Sequence, residues 1–401
     1  MSSTQGYSIT TRRLRLRCKH PEWLRLTQKF YNKIERFYYE LLLKNPQLWD
    51  LNSQKILREL EVLSIPGRNK KEPEEPLPWE KVPLYFRRAA ANAGIAAAKS
   101  HCTRMETAPG RKAGQLNSAV VYYKGMYRDF YPDEITLKVW DGSQWQWLHC
   151  RLYGRELPQD AQLMSPSVVF ENGFVMLHVP VKETVHDTSS VKQRLSEERN
   201  LCSVQFTNSD AFAVGTVMNS KGQELSAKFW NGGKEYSHHC RQLTEKIEKS
   251  RRSMGGSQPG RPNQKYWMHL KHLAEHYAHK VSTEIVRYCE EQAVSVIVLP
   301  KYNENYTKYV MVSSGDWSPI HLSTRIRQYL SYKAWKSGII VIEVHANDIS
   351  SVCAKCGKKV IFTDKKTNEY VCEDGHRGSR YLNSARNMGK KCLIQFGKHV
   401  G

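Results

Sequence analysis

Four metal-binding side chains near the C-terminus fall into two close pairs, Cys353-x-x-Cys356 and Cys372-x-x-x-His376. Two cysteines separated by two residues form a knuckle whose sulfurs grip one face of a zinc ion, and a second pair after a short loop closes the tetrahedron. Gly357 directly follows the first pair, and imidazole stands where a fourth thiolate is more usual. The spacing predicts a structural zinc ribbon with ligands Cys353, Cys356, Cys372 and His376. Free thiols beside a surface histidine, and a ribbon that has lost its metal, are the competing readings. His376 is the least constrained of the four.

The chain has 401 residues, enough for a large core and two to four domains. Its 61 basic residues against 39 acidic ones give a net charge of +22. That excess points to a polyanionic partner, with phosphate backbone ahead of a membrane surface. Apolar runs such as Val294 to Leu299 are strand-length, far below the ~20 residues of a membrane span. The N-terminus shows no signal-peptide core. A cytoplasmic location and no membrane partner are expected. The other cysteines, Cys18, Cys102, Cys150, Cys202, Cys240, Cys289 and Cys392, are too scattered for a disulfide framework and read as small buried or free thiols.

From the N-terminus, residues 7–17 alternate apolar and basic side chains toward their end, as in a half-buried strand with a charged outer face. Leu26, Phe30, Ile34, Phe37 and Leu41 recur at helical spacing. Residues 66–78 form a Pro-, Lys- and Glu-rich linker, 83–100 an Ala-rich helix, and Arg104 to Lys112 a basic loop. Several short β-rich runs between 116 and 185, with Asn172-Gly173 as a hairpin turn, suggest a small barrel or sandwich. Tyr122, Tyr123, Trp140, Trp145 and Trp147 within them could stack on bases, although core packing suits most of them better. Residues 186–200 read as a polar link. Beyond it come a strand pair (202–206 and 211–218), helices at 238–250 and 266–292, a buried strand at 294–299, a helix at 322–336 and a strand at 339–344. Alternating strands and helices argue an α/β core. Lys246, Lys249, Arg251, Arg252, Arg261 and Lys265 cluster around the Gly255-Gly256 and Gly260 turns. Such a segment can follow a phosphate backbone without reading sequence; a solvated charged face is the plainer alternative.

The segment Ser350-Ser351-Val352-Cys353-Ala354-Lys355-Cys356-Gly357 resembles the S-x-x-C-x-x-C-G entry to the zinc ribbon of the TnpB family. These are transposon-encoded RNA-guided nucleases related to the miniature type V CRISPR effectors. Tyr277 to Val286 resembles the l-H-k-i-S-x-x-I-v stretch of the family's long helix. Tyr332-Lys333-Ala334 with Gly338-Ile339 resembles its Y-K-A-x-x-x-G-I segment, and Leu382-Asn383-Ser384-Ala385-Arg386-Asn387 is similar to the frame after its last catalytic Asp. The resemblance implies an α/β RuvC (RNase H-like) domain with a zinc-ribbon insertion, plus an N-terminal β-barrel wedge domain carrying a helical recognition insertion. The implied divisions are a first wedge strand at 1–20, the helical domain at 21–115, the wedge barrel at 116–190, the RuvC-like domain at 191–349, the ribbon at 350–378 and a final helix at 379–401.

A RuvC nuclease holds two Mg²⁺ roughly 4 Å apart with carboxylates, and Mg²⁺ demands anionic oxygen ligands. At the three positions where the family places acids, this chain has Gln205, Pro300 and Tyr381. An amide, a proline and a phenol cannot hold two divalent cations, so no catalytic residue and no catalytic Mg²⁺ are expected. The implied function is RNA-guided binding of double-stranded DNA, with a guide RNA as partner and a stable R-loop as product, used to repress transcription or to recruit an as yet undefined protein. One rival is an active Mg²⁺-dependent RNA-guided endonuclease with displaced acids (Asp210, Glu304 or Asp374). The other is an RNA-free accessory DNA-binding protein of a mobile element.

Overall fold

The computed structural model describes residues 6–67, 72–107, 116–158, 160–171, 173–253, 262–364 and 368–396. Asn172, Gly255, Gly256, Gly260, Arg261 and the tip of the expected 104–112 loop lie outside them. The chain forms two compact units, one of residues 9–183 and the other of residues 1–8 with 184–401.

In the first unit, β1 (Tyr7–Cys18) leads into α1 (Pro21–Lys44), α2 (Ser53–Ser64) and α3 (Leu84–Thr107). Pro21 at the first turn of α1 has no amide hydrogen to leave unpaired. Asn52 caps α2 by accepting from the Lys55 amide at 3.0 Å. The strands β2 (Val120–Val121), β3 (Tyr127–Arg128), β4 (Glu134–Trp140), β5 (Trp145–Tyr153), β6 (Gln162–Leu163), β7 (Ser167–Glu171) and β8 (Phe174–Thr184) follow. With β1 they make one eight-stranded sheet in the order β2-β7-β8-β1-β5-β4-β3, with β6 on β8. The sequence suggested a small barrel or sandwich in this stretch; its strands, with β1, lie in one sheet whose order begins at β2 and ends at β3. Helices and strands share one core, in which Tyr31, Ile34 and Tyr38 of α1 and Ala90 and Ala91 of α3 join Ile135, Leu137 and Val139 of β4. The helical segment therefore does not form a core of its own. Small side chains on α3 serve this packing: a Cβ on Gly94 would sit 2.6 Å from the Glu35 carbonyl oxygen of α1. Arg104 belongs to α3, not to a loop.

The second unit begins with α4 (Val191–Ser196), inside the stretch read as a polar link. Arg194 explains it. This fully buried guanidinium donates to the carbonyls of Ser189, Ser295 and Asp187 at 2.9 Å and of Gly338 at 2.5 Å, and pairs with the Asp187 carboxylate at 3.1 Å. A five-stranded sheet follows, from β9 (Asn200–Phe206), β10 (Ala213–Met218), β11 (Glu224–Trp230), β12 (Val294–Lys301) and β13 (Ile340–His345), ordered β11-β10-β9-β12-β13. The first three are antiparallel; β9, β12 and β13 run parallel. The edge strand β11 is an addition to the strand pair expected there. Between β11 and β12 lie α5 (Gly233–Ser253) and α6 (Gln264–Glu291); between β12 and β13 lie α7 (Glu304–Ser313) and α8 (Ser323–Lys336). The central strands are buried along almost their whole length, as parallel strands covered on both faces must be. One face packs on α5, α6 and α8, and the other receives α9 (Arg380–Phe396). A three-stranded sheet of β14 (Val360–Asp364), β15 (Glu369–Cys372) and β16 (Arg377–Ser379) precedes α9.

Candidate functional site

The four expected metal ligands converge. Their ligand atoms lie within 4.8 Å of one another, with Cys356 Sγ 3.6 Å from Cys372 Sγ and His376 Nδ1 3.4 Å from Cys372 Sγ. Four ligands at Zn–S and Zn–N bond lengths stand roughly 3.4–3.8 Å apart on the edges of a tetrahedron, so the donor set and spacing fit zinc. Each pair rides on a tight turn. Gly357 N donates to Cys353 O at 2.8 Å, and Gly375 N donates to Cys372 O at 2.9 Å. Both glycines have positive φ, +76° and +79°, which side chains with a Cβ rarely adopt. Gly375 is the local signal that Cys372-x-x-x-His376 is a second knuckle.

The ribbon is latched to α9. Asn383 accepts from Ala354 N and donates to Val352 O, both at 2.8 Å, while Asn387 donates to Ile349 O and Val352 O at 2.9 and 2.8 Å. The two asparagines are four residues apart and share one helix face. The N-S-A-R-N frame thus does structural work that does not depend on an acid before it.

Gln205 and Pro300 lie near the C-terminal ends of the neighbouring parallel strands β9 and β12, and Tyr381 is the second residue of α9. Ser203 of β9 donates its hydroxyl to Ala385 O of α9. Strand alternation puts Gln205, two residues on, on the same α9-facing side. The parallel register of β9 and β12 pairs Ser203 with Val298, and carried two residues further it sets Pro300 level with Gln205. Tyr381 lies one helical turn before Ala385. The buried Gln205 amide donates to the hydroxyl of Tyr302, and the Tyr381 hydroxyl donates to Asn208 Oδ1. Arg380 Nη2 donates to the Tyr381 oxygen at 2.7 Å, and its guanidinium lies 4.7 Å from the Tyr381 ring centroid. Gln205 Oε1 and Arg380 Nε are buried with no hydrogen-bond partner among the described residues. Tyr302, Asn208 and Arg380 lie within three residues of Pro300, Gln205 and Tyr381, but carry no signal of their own in the sequence, because their hydrogen-bond pairing becomes visible only in the fold.

The displaced acids take other roles. Asp210 Oδ1 accepts from Lys234 N at 3.1 Å at the start of α5, Asp374 pairs with Lys358 at 2.7 Å, and Glu304 opens α7 on the surface. Among the described residues, the Cys/His cluster is the one group of three or more His, Cys, Asp or Glu placed to share a metal ion.

Lys246, Lys249, Arg251 and Arg252 are exposed on α5, interleaved with exposed Glu245 and Glu248, and Lys265 is exposed at the start of α6. A second cationic surface lies on the outer face of the eight-stranded sheet, with Glu134 opposite Arg151 across β4 and β5. Arg13, Arg17 and Arg151 are exposed there, and Arg15 pairs with Tyr153 and Arg17 with Arg151 across β1 and β5. Arginines cover exposed rings on this face: Arg15 over Phe174 at 4.0 Å, Arg17 over Tyr153 at 5.1 Å and Arg128 over Trp147 at 4.5 Å. The alternation of β1 signalled a charged outer face, but the neighbouring strands that widen it cannot be read from that segment. Of the five aromatics considered for stacking, Tyr122 is fully buried, Trp140 and Trp145 pack with Phe30, and Tyr123 receives a hydrogen bond from Asn92 at 3.1 Å. Only Trp147 stands exposed.

Two further motifs come together between α6 and α8. Lys333 of α8 donates to His279 O, Ser282 Oγ and Thr283 Oγ1 of α6 at 2.8–2.9 Å, and burial pulls its ammonium down to about 8.

Residues 324–388 match the family model of the Cas12f1-like, TNB domain, and residues 8–141 match that of the Aq_aa04 family. No curated protein matches. Among solved structures, the Cas12f1-sgRNA-target DNA complex aligns with a TM-score of 0.61 and 12% identity over 92% of this chain and 81% of that one. The mini-RNA-guided endonuclease CRISPR-Cas phi3 aligns with a TM-score of 0.56 and 8% identity over 99% and 94%. At such identity the alignments show a shared fold. The matched TNB domain and that shared fold support the resemblance to TnpB-like and miniature type V effector proteins carried by the motifs.

Proposed function

We propose that this chain is an RNA-guided double-stranded DNA-binding protein whose RuvC-like centre does not hydrolyse DNA. The observation that supports the reading is that Gln205, Pro300 and Tyr381 occupy the three positions, on β9, β12 and α9, where the resemblance puts the carboxylates that two Mg²⁺ would need. Asp210, Glu304 and Asp374 are engaged elsewhere or exposed, which weighs against displaced acids. The relatives described above are, by name, an sgRNA-target DNA complex and an RNA-guided endonuclease; guide RNA and target DNA are proposed as partners here on that likeness and on the net charge of +22. Base pairing with the guide would select the target, and the protein would supply shape, backbone contacts and a short flanking-motif readout. Without cleavage the R-loop persists, so blocking transcription is the expected use, with recruitment of a protein partner as the other. Cys353, Cys356, Cys372 and His376 would hold a zinc ion that fixes the ribbon against α9 and takes no part in chemistry; metal analysis should give one zinc per chain.

The test is to purify the protein with its co-purifying RNA, sequence that RNA, and incubate the complex with a matched plasmid and Mg²⁺. Retained plasmid without nicks, dependent on the RNA, is expected. Nicking that Asp210→Ala abolishes would establish the displaced-acid nuclease instead. Binding unchanged by removal of RNA would make the chain an RNA-free accessory protein.

A further inference from the structure

We infer that the sheet end formed by Gln205, Tyr302, Asn208, Arg380 and Tyr381 binds one DNA phosphodiester without a metal ion. This rests on the reading just given and names what the altered centre holds. A carboxylate cluster repels phosphate unless divalent cations stand between them. Here Gln205 bonds Tyr302, and Tyr381 joins Arg380 to Asn208; these are amides, phenols and a guanidinium, so an anion encounters donors and a fixed positive charge.

Two unsatisfied atoms distinguish a ligand site from an internal brace. Among the described residues, Arg380 Nε is a buried donor with no acceptor and Gln205 Oε1 a buried acceptor with no donor, in a side chain only 6% exposed. Leaving such atoms unpaired is unfavourable, so each calls for a partner. A hydrated phosphodiester meets both. A phosphate oxygen accepts from Arg380 Nε, while one bridging water donates one hydrogen to Gln205 Oε1 and the other to phosphate. The cation is already aimed: Arg380 Nη2 is tied to the Tyr381 oxygen, the guanidinium lies against the Tyr381 ring, and Tyr381 is tied to Asn208. Little side-chain freedom remains to be lost on binding.

The experiment uses the full chain with its co-purified RNA and measures target-DNA affinity across a salt series, with RNA content and Tm read for every variant. Arg380→Gln should weaken DNA binding about five- to tenfold and lower the salt slope by about one, with RNA content and Tm at wild-type values, while Arg380→Lys keeps most of the affinity. Gln205→Asp should weaken binding in Mg²⁺-free buffer and regain it on addition of Mg²⁺, beyond any Mg²⁺ response of the wild type; chelators are avoided because they would strip zinc. Unchanged affinity and slope in Arg380→Gln, a loss confined to RNA content, or a fall in Tm that accounts for the loss would each overturn the inference while guided DNA binding stands. A wild-type complex that binds no matched DNA would remove the underlying reading and this site with it.

Discussion

At the scale of single residues, neighbours four positions apart on α9 carry the ribbon. Asn383 is 1% exposed and satisfies one donor and one acceptor of the knuckle strand. Asn383→Ala should destabilise the fold by about 1–3 kcal/mol, because the buried Ala354 amide loses its acceptor, while Val352 O keeps its bond from Asn387. Denaturant unfolding with a zinc-release dye checks it, and the variant should lose zinc at lower denaturant than the wild type. Residues of this kind are half legible. The cysteine spacing is read directly because a knuckle is local in sequence, and Gly357 and Gly375 mark its turns. Asn383 and Asn387 are visible as an i, i+4 pair, but what they face is not. Arg380, Asn208 and Tyr302 come from three separate segments, so no window of sequence contains their contact.

At the scale of elements, legibility follows periodicity. The stripes of α1 and α6 and the apolar run of β12 predict those elements, since a buried face imposes its period on the sequence. The edge strand β11 escapes because only Trp230 on it is fully buried, and α4 because it is one short turn held by a buried arginine. α3 is legible as a helix, while the reason for its small residues is tertiary. Gly94→Ala must push α3 away from the Glu35 carbonyl and the Tyr39 amide, which a Cβ would approach to 2.6 and 2.9 Å. A loss of about 1–3 kcal/mol is expected in thermal or denaturant unfolding. The turn before α4 gives a pH signature. Burial pushes the Asp187 carboxyl up, but hydrogen bonds from Ser189 and Arg199 and the charge of Arg194 outweigh it and hold it at about 2. A carboxyl depressed in the folded state adds stability that is complete above its unfolded value near 4 and is lost as pH falls toward about 2. Tm measured from pH 5 to pH 2 should therefore fall less steeply in Asp187→Asn than in the wild type, from a lower starting value.

At the scale of the whole molecule, charge is the property that the sequence states most plainly and locates least. The excess of 22 positive charges predicts polyanion binding whose affinity falls steeply with salt. It does not say which cations touch phosphate. The sequence drew attention to α5, where Lys246, Lys249, Arg251 and Arg252 crowd together, yet exposed Glu245 and Glu248 stand among them. The outer sheet face sets Arg13, Arg15, Arg17 and Arg151 beside exposed aromatic rings, the combination that follows a nucleic-acid strand by charge and stacking at once. The two surfaces therefore predict different salt slopes. Replacing Arg15, Arg17 and Arg151 with Gln should lower the slope of log affinity against log salt by about two to three, roughly one unit each for Arg15 and Arg17 and less for Arg151, which Glu134 faces across β4 and β5. Replacing Lys246, Lys249, Arg251 and Arg252 with Gln should lower it by less than that, despite removing four charges, because the neighbouring acids already offset part of their field. Filter binding of the RNA-loaded protein between about 50 and 200 mM salt reads both slopes. A larger drop for the α5 variant would assign the phosphate path to that helix and leave the arginine-covered rings of the sheet as surface packing.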